Sequence, residues 1–211
     1  MRRWFIADTH FGHEGIIRGM LRRYPQTKYL FPSVEAHDEY MIRSINAVAK
    51  RDDELWILGD FAWKTPGKYR MCINCKRVRL IRGNHDAYAK CKNVFGEVPY
   101  VAETKLRREG CTPMRVILSH CPFAYWDGSY KGWAHLYGHI HGQREETLYR
   151  AFGPRRAMDV SADNLLNVFG TYLPVSEASL HAIFSVTPTH DPREFYVKFQ
   201  AARDREFFDD V

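Results

Sequence analysis

Short apolar runs that stop abruptly on glycine, a carboxylate or an imidazole punctuate this chain. Trp4-Phe5-Ile6-Ala7 stops at Asp8, Leu55-Trp56-Ile57-Leu58 at Gly59-Asp60, and Val78-Arg79-Leu80-Ile81-Arg82 at Gly83-Asn84-His85. Val116-Ile117-Leu118 stops at Ser119-His120, and Leu136-Tyr137 at Gly138-His139. Runs this short, bounded by Gly and polar residues, predict buried strands. Helical spacing fills the intervals. Ser33 is an N-cap candidate with Glu35 and Asp38 just after it, and Val34, Met41, Ile45 and Val48 share one face of a helix running to about Lys50. Ser176 caps a second helix whose buried stripe is Leu180, Ile183 and Phe184, ended by Thr187-Pro188. Phe195, Phe199 and Ala202 predict an appended helix at about 192–208, and residues 22–32 read as a loop. Strands alternating with helices predict an α/β fold, and no linker divides residues 1–211, so one domain is expected.

Composition narrows the class. A hydrophobic fraction of 45% in 211 residues is enough for a sizeable core. No apolar stretch reaches the roughly 20 residues that span a bilayer. The opening run resembles a signal peptide, but Asp8 and His10 interrupt it too soon. The chain is therefore expected to be cytoplasmic, with no membrane partner. Five cysteines at irregular spacing argue against a disulfide framework, and Cys72-x-x-Cys75 has no second pair to complete a zinc site. The net charge of +6 is unevenly placed: Lys64, Lys68, Arg70, Lys76, Arg77, Arg79 and Arg82 fall between Asp60 and Asp86 with no acidic residue among them. Such a surface would attract a phosphate-bearing substrate, although charge alone favours a plain solvated face.

The strand ends carry the chemistry. In order they bear Asp8-Thr9-His10, Gly59-Asp60, Gly83-Asn84-His85-Asp86, His120 and Gly138-His139-Ile140-His141. Ends of strands in α/β sheets are where sites assemble. Asp8, His10, Asp60, Asn84, His120, His139 and His141 offer oxygen and nitrogen donors and no thiolate. This set suits manganese, iron, zinc, nickel or cobalt, and it is large enough for two divalent ions. Residues two apart in extended chain point the same way, so the pairs Asp8/His10 and His139/His141 can each face one cluster. Asp60, alone after a strand and a glycine, is placed to bridge two cations.

This ordered set resembles the calcineurin-like metallophosphoesterase superfamily. The stretches Asp8-Thr9-His10-Phe11-Gly12-His13, Arg82-Gly83-Asn84-His85-Asp86 and Tyr137-Gly138-His139-Ile140-His141-Gly142 are similar to a group of small bacterial and phage phosphoesterases. Met158-Asp159-Val160 and Leu173-Pro174-Val175-Ser176 extend the likeness to about Phe184. The resemblance implies a four-layer α/β/β/α sandwich with two mixed sheets. It implies one metal on Asp8, His10 and His141, another on Asn84, His120 and His139, and Asp60 between them, with manganese foremost. A hydroxide between the metals would attack phosphorus. His85 would be catalytic, facing the leaving oxygen, and Asp86 would orient it.

One departure bears on the substrate. The serine/threonine phosphatases of the superfamily carry Gly-Asp-x-x-Asp-Arg-Gly, whereas Gly59-Asp60 is followed by Phe61-Ala62-Trp63-Lys64. Without the Arg, whose fork clamps a dianionic monoester, a phosphodiester of a nucleotide or nucleic acid is favoured. A phosphomonoesterase, a non-catalytic scaffold subunit and, weakest, a DNA-binding module are the alternatives. His13 is expected at the site or just behind it, and His135 buried or just behind it. His37, His181 and His190 read as surface or packing residues. The aromatic stretch 123–133 could stack on a nucleobase or brace a long loop. Oligomeric state is left open.

Overall fold

The computed structural model describes residues 1–17 and 31–187. Three of the expected strands, β1 (Arg3–Ile6), β2 (Glu54–Leu58) and β3 (Arg77–Ile81), lie parallel in the order β3-β2-β1, with Phe5 opposite Trp56 and Ile57 opposite Leu80. Parallel neighbours need a crossover. The chain supplies α1 (Val34–Val48) before β2 and α2 (Pro66–Met71) before β3. Phe5, Ile6, Leu55, Ile57, Leu58 and Ile81 are fully buried, which is why β1 and β2 are largely apolar, while β3 alternates buried Val78 and Leu80 with exposed Arg77 and Arg79. α3 (Tyr88–Phe95) leads out of this sheet.

The second sheet has the order β4-β5-β6-β7. Here β5 (Met114–Ser119), β6 (Ala134–Tyr137) and β7 (Ala157–Asp159) are parallel, and β4 (Val101–Leu106) is antiparallel to β5. Two helices flank β7, namely α4 (Glu145–Phe152) and α5 (Ala162–Phe169). The short β8 (Val175–Ser176) returns to the first sheet, antiparallel to β1, and α6 (Glu177–Val186) follows. The architecture is thus α/β with two mixed sheets, as expected. The sheets meet where β1 ends: the Ala7 N–H donates to Val160 O at 2.8 Å, and Ala7 bridges Ser161.

Both expected N-caps form. Ser33 Oγ accepts from the Ala36 N–H, and Ser176 Oγ from the Ser179 N–H at 3.1 Å. Met41 and Ile45 are buried, as are Leu180 and Phe184, whereas Val34, Val48 and Ile183 are half-buried. The helix expected at about 192–208, His190 and most of the 22–32 loop lie outside the described residues. The five thiols are free, with Cys75 and Cys91 buried.

Part of the basic segment is engaged with its own surface. Arg79 pairs with Glu54 at 2.9 Å and lies over Trp56. Arg70 donates to the carbonyls of Ile73 and Lys76, and Arg77 to that of Asp52. These three cations are held against their own surface.

Candidate metal centre

At each strand end the backbone turns sharply. Asp8, His10, Asp60, His139 and His141 have φ between 45° and 70°, and among the described residues these are the only non-glycine positions with positive φ. Such a conformation costs about 1–3 kcal/mol per residue and persists where the surroundings over-determine it. Five of the seven expected ligands carry this strain. Each turn lifts a side chain off its strand toward one point above the sheet edges. Two glycines make the approach feasible. A Cβ on Gly83 would sit 2.1 Å from Asp60 Oδ1, and one on Gly138 would sit 2.2 Å from Asp8 Oδ2.

The carboxylates are divided between backbone and site. Asp8 Oδ2 accepts from the His139 N–H at 2.8 Å, and Asp60 Oδ1 accepts from the His85 N–H at 2.9 Å. The other oxygen of each faces the imidazoles. Asp8 Oδ1 lies 3.6 Å from His10 Nε2 and 3.5 Å from His141 Nε2. Asp60 Oδ2 lies 3.6 Å from His10 Nε2 and 3.4 Å from His120 Nε2. Donors sharing an ion at about 2.1 Å stand about 3.0–3.4 Å apart, so this spacing fits a cation better than direct hydrogen bonds. Asp8 Oδ1 and His10 Nε2 are buried with no hydrogen-bond partner, a cost the chain carries unless something positive sits between them. The tightest groups are Asp8–His10–His141 and Asp8–Asp60–His120, with donor atoms within 4.8 Å of one another. Asn84 and His139 flank the second: Asn84 Oδ1 is 2.9 Å from His120 Nε2, and the His139 ring lies 5.0 Å from that of His120.

A family model of the calcineurin-like phosphoesterases matches residues 1–143. This chain belongs to that family. The chain is 34% identical over 88 residues to the gene 66 protein of Mycobacterium phage L5, a match that covers 39% of each chain. It is 28% identical over 178 residues to an uncharacterized protein of Methanocaldococcus jannaschii, covering 82% of this chain and 85% of that one. In fold it is similar to an Aquifex aeolicus protein of unknown function, with TM-score 0.61 and 24% identity over 86% of this chain and 98% of that one.

Behind the cluster of this phosphoesterase stands a row of acceptors that sequence reasoning only partly found. Asp163 Oδ2 is 2.5 Å from His141 Nδ1, and Leu58 O is 2.9 Å from His120 Nδ1. His13 Nδ1 is 3.1 Å from His10 Nδ1. Each contact holds a ring by Nδ1 and leaves Nε2 for the cluster, the usual support for a metal-binding imidazole. Burial and the neighbouring His10 hold the His13 pKa below the ordinary value, so a neutral ring is there to accept. Asp163 lies in a helical turn after the last motif, and nothing in its spacing marks it. Asp38 is a second such residue: both its oxygens accept from the Gly12 N–H, which pins the turn after His10.

Asp86 is a correction. Expected to orient His85, its carboxylate accepts instead from the N–H groups of Gly83 and Asp60 through Oδ2 and of Phe61 through Oδ1, at 2.8–2.9 Å. It clamps the two strand-end turns together and stays with the backbone. His85 is half-exposed at the mouth, with Nε2 4.0 Å from Asp60 Oδ2.

Charge within the site is balanced by position. Burial works against an ionised Asp60, yet the contact with His120 and the charges of His120 and His10 bring its pKa down to about 2. Burial likewise opposes protonation of His120, but Asp60 and Asp8 raise its pKa to about 9. A proton is thus held where the donor set would hold a cation, and metal binding must displace it.

His135, Trp126, His37 and His181 are packing elements. His135 is fully buried, stacks on Phe123 and has Nε2 2.8 Å from Ser119 Oγ, and burial lowers its pKa to about 3. Trp126 is 4% exposed and its indole N–H donates to Trp133 O, so Trp126 braces its loop, while Tyr125 and Tyr130 of the same stretch are exposed. His37 and His181 are both buried, His37 Nδ1 lying 3.1 Å from Asp38 and His181 Nε2 lying 3.0 Å from Thr112 O.

Proposed function

We propose that this phosphoesterase is a dinuclear metal-dependent phosphodiesterase acting on a nucleotide or nucleic-acid ester. The observation that carries the reading is the convergence of Asp8, His10, Asp60, His120 and His141 from both sheets, four of them on strained backbone, with Asn84, His139 and His85 beside them. Asp8, His10 and His141 would hold one divalent ion, and Asn84, His120 and His139 the other, with Asp60 between. Manganese is the leading candidate. When bound, two such ions supply an activated water and neutralise charge gathering on the phosphoryl oxygens.

The chain's own groups do the rest. Backbone N–H groups and Asp163 keep the carboxylates and imidazoles aimed, so little reorganisation is left for the reaction. His85, half-exposed at the mouth, faces the leaving oxygen and delivers a proton or a hydrogen bond to it. Trp63 and Lys64 stand where protein phosphatases carry Asp and Arg, which supports a singly charged diester over a dianionic monoester. No helix among the described residues is long and apolar enough to cross a membrane, and five free thiols support a reducing, cytoplasmic setting.

Purified protein supplied with manganese, nickel, iron or zinc is expected to hydrolyse bis-p-nitrophenyl phosphate faster than p-nitrophenyl phosphate. The reverse order would make it a monoesterase. No turnover of either with every metal would leave only a non-catalytic scaffold. His85→Ala is expected to lower kcat roughly 10²- to 10⁴-fold at unchanged metal content, and Asp60→Asn to lose metal and activity together.

A further inference from the structure

Of the five tryptophans, Trp56 and Trp126 are buried, Trp4 and Trp133 are half-buried, and Trp63 alone is exposed, at 40%. It stands at the mouth of the metal centre. The His13 ring lies against one face of its indole, with centroids 4.3 Å apart and planes within 5° of parallel. The His85 ring is 5.4 Å from the indole, and His10 is 5.2 Å from His13 and 5.5 Å from His85. Four rings therefore form one aromatic wall that starts at a metal ligand and ends in solvent. Its outer end is rigid: the Trp63 N–H donates to Phe11 O at 2.9 Å, and Phe11 pairs with Ala62 as an isolated bridge.

A scattered surface aromatic needs no explanation. This one is different because its backbone is anchored, its inner face is backed by a ring fixed to His10, and its exposed side adjoins the reacting end of the site. We propose that Trp63, backed by His13, is the platform on which a nucleobase of the substrate stacks while the neighbouring phosphate occupies the metal centre. The inference rests on the phosphodiesterase reading and deepens it by naming the substrate class: esters that carry a nucleoside on the His85 side. Among the described residues the rings that meet the indole are the imidazoles of His13 and His85, so the platform reads a flat ring and not a particular base. Stacking one base on an aromatic side chain is worth roughly five- to 150-fold in affinity.

The test compares adenosine 5′-monophosphate with ribose 5-phosphate by calorimetry on the manganese-loaded full chain. The two probes share phosphate and sugar and differ in the base. The wild type is expected to bind the nucleotide about tenfold more tightly or better, with the other three common nucleoside monophosphates within a few-fold of it. Trp63→Ala is expected to bring the ratio toward one, and Trp63→Phe to keep most of it. A ratio near one in the wild type, or one that survives in Trp63→Ala, overturns the proposal. Should Trp63→Ala fail to fold, the wild-type ratio and its retention in Trp63→Phe still decide. Hydrolysis of bis-p-nitrophenyl phosphate by the same wild-type sample reports separately on the enzymatic reading. Turnover without base preference sinks the platform alone, and base preference without turnover leaves the platform and sinks the esterase.

Discussion

Asp163 shows how much of the site resides in residues that never touch a substrate. Its Oδ2 holds His141 by Nδ1 while its other oxygen is buried without a hydrogen-bond partner. Asp163→Asn keeps the shape but loses the charge that makes the imidazole a strong donor. Metal affinity is expected to fall roughly 10- to 100-fold, read by titrating chelated manganese, with thermal stability of the metal-free protein little changed. An affinity equal to the wild type would reduce Asp163 to a packing residue. The candidate ligands stand out in the sequence because Asp, Asn and His at strand ends are a chemical signature. Asp163, Asp38 and the role of Asp86 were not, since an orienting carboxylate can come from any distance along the chain. Asp86 sits beside His85 in sequence, yet it is turned away toward three backbone N–H groups.

At the level of elements, five strands were readable because each carries a short buried apolar run that stops on a polar motif. β4 was not. It is an edge strand whose Val101, Glu103 and Lys105 face outward, and its run of mixed residues carries no clear period. β7 and β8, of three and two residues, are too short to leave a pattern. β6 carries a buried charge sensor in His135. Its folded pKa of about 3 lies below the ordinary value of 6.5. Above pH 6.5 it is neutral in both states and contributes nothing to the pH dependence. As pH falls from 6.5 toward 3 the unfolded chain takes up a proton that the folded one refuses, so stability drops, by up to about 1.4 kcal/mol per pH unit. Urea midpoints of metal-free wild type and His135→Gln between pH 7 and 4.5 are expected to converge as pH falls, the variant losing less. Parallel curves would remove His135 as the cause.

The whole molecule joins two sheets through one cluster. Asp8, His10, Asp60 and Asn84 follow strands of the first sheet, and His120, His139 and His141 follow strands of the second. Any ion held by both sets ties the sheets together and binds the folded state alone. Metal at a hundred times its Kd adds about 2.7 kcal/mol, or roughly 5–10 °C in Tm for a chain of this size. Calorimetric scans with manganese and with chelator are expected to differ by that amount, and Asp60→Asn to abolish the difference. A shift that survives in the variant would place the stabilising ion elsewhere.

Sequence by itself determined the donor types, their order and their place at strand ends, because apolar runs and ligand chemistry are local properties. It also carried the family. Tertiary structure decided three things: that the donors converge on strained turns, that Asp86 clamps backbone while Asp163 supports His141, and that Trp63 stands exposed against His13 and close to His85. Those depend on which distant segments pack together, and a buried carboxylate or a stacked indole looks the same in sequence whatever it faces.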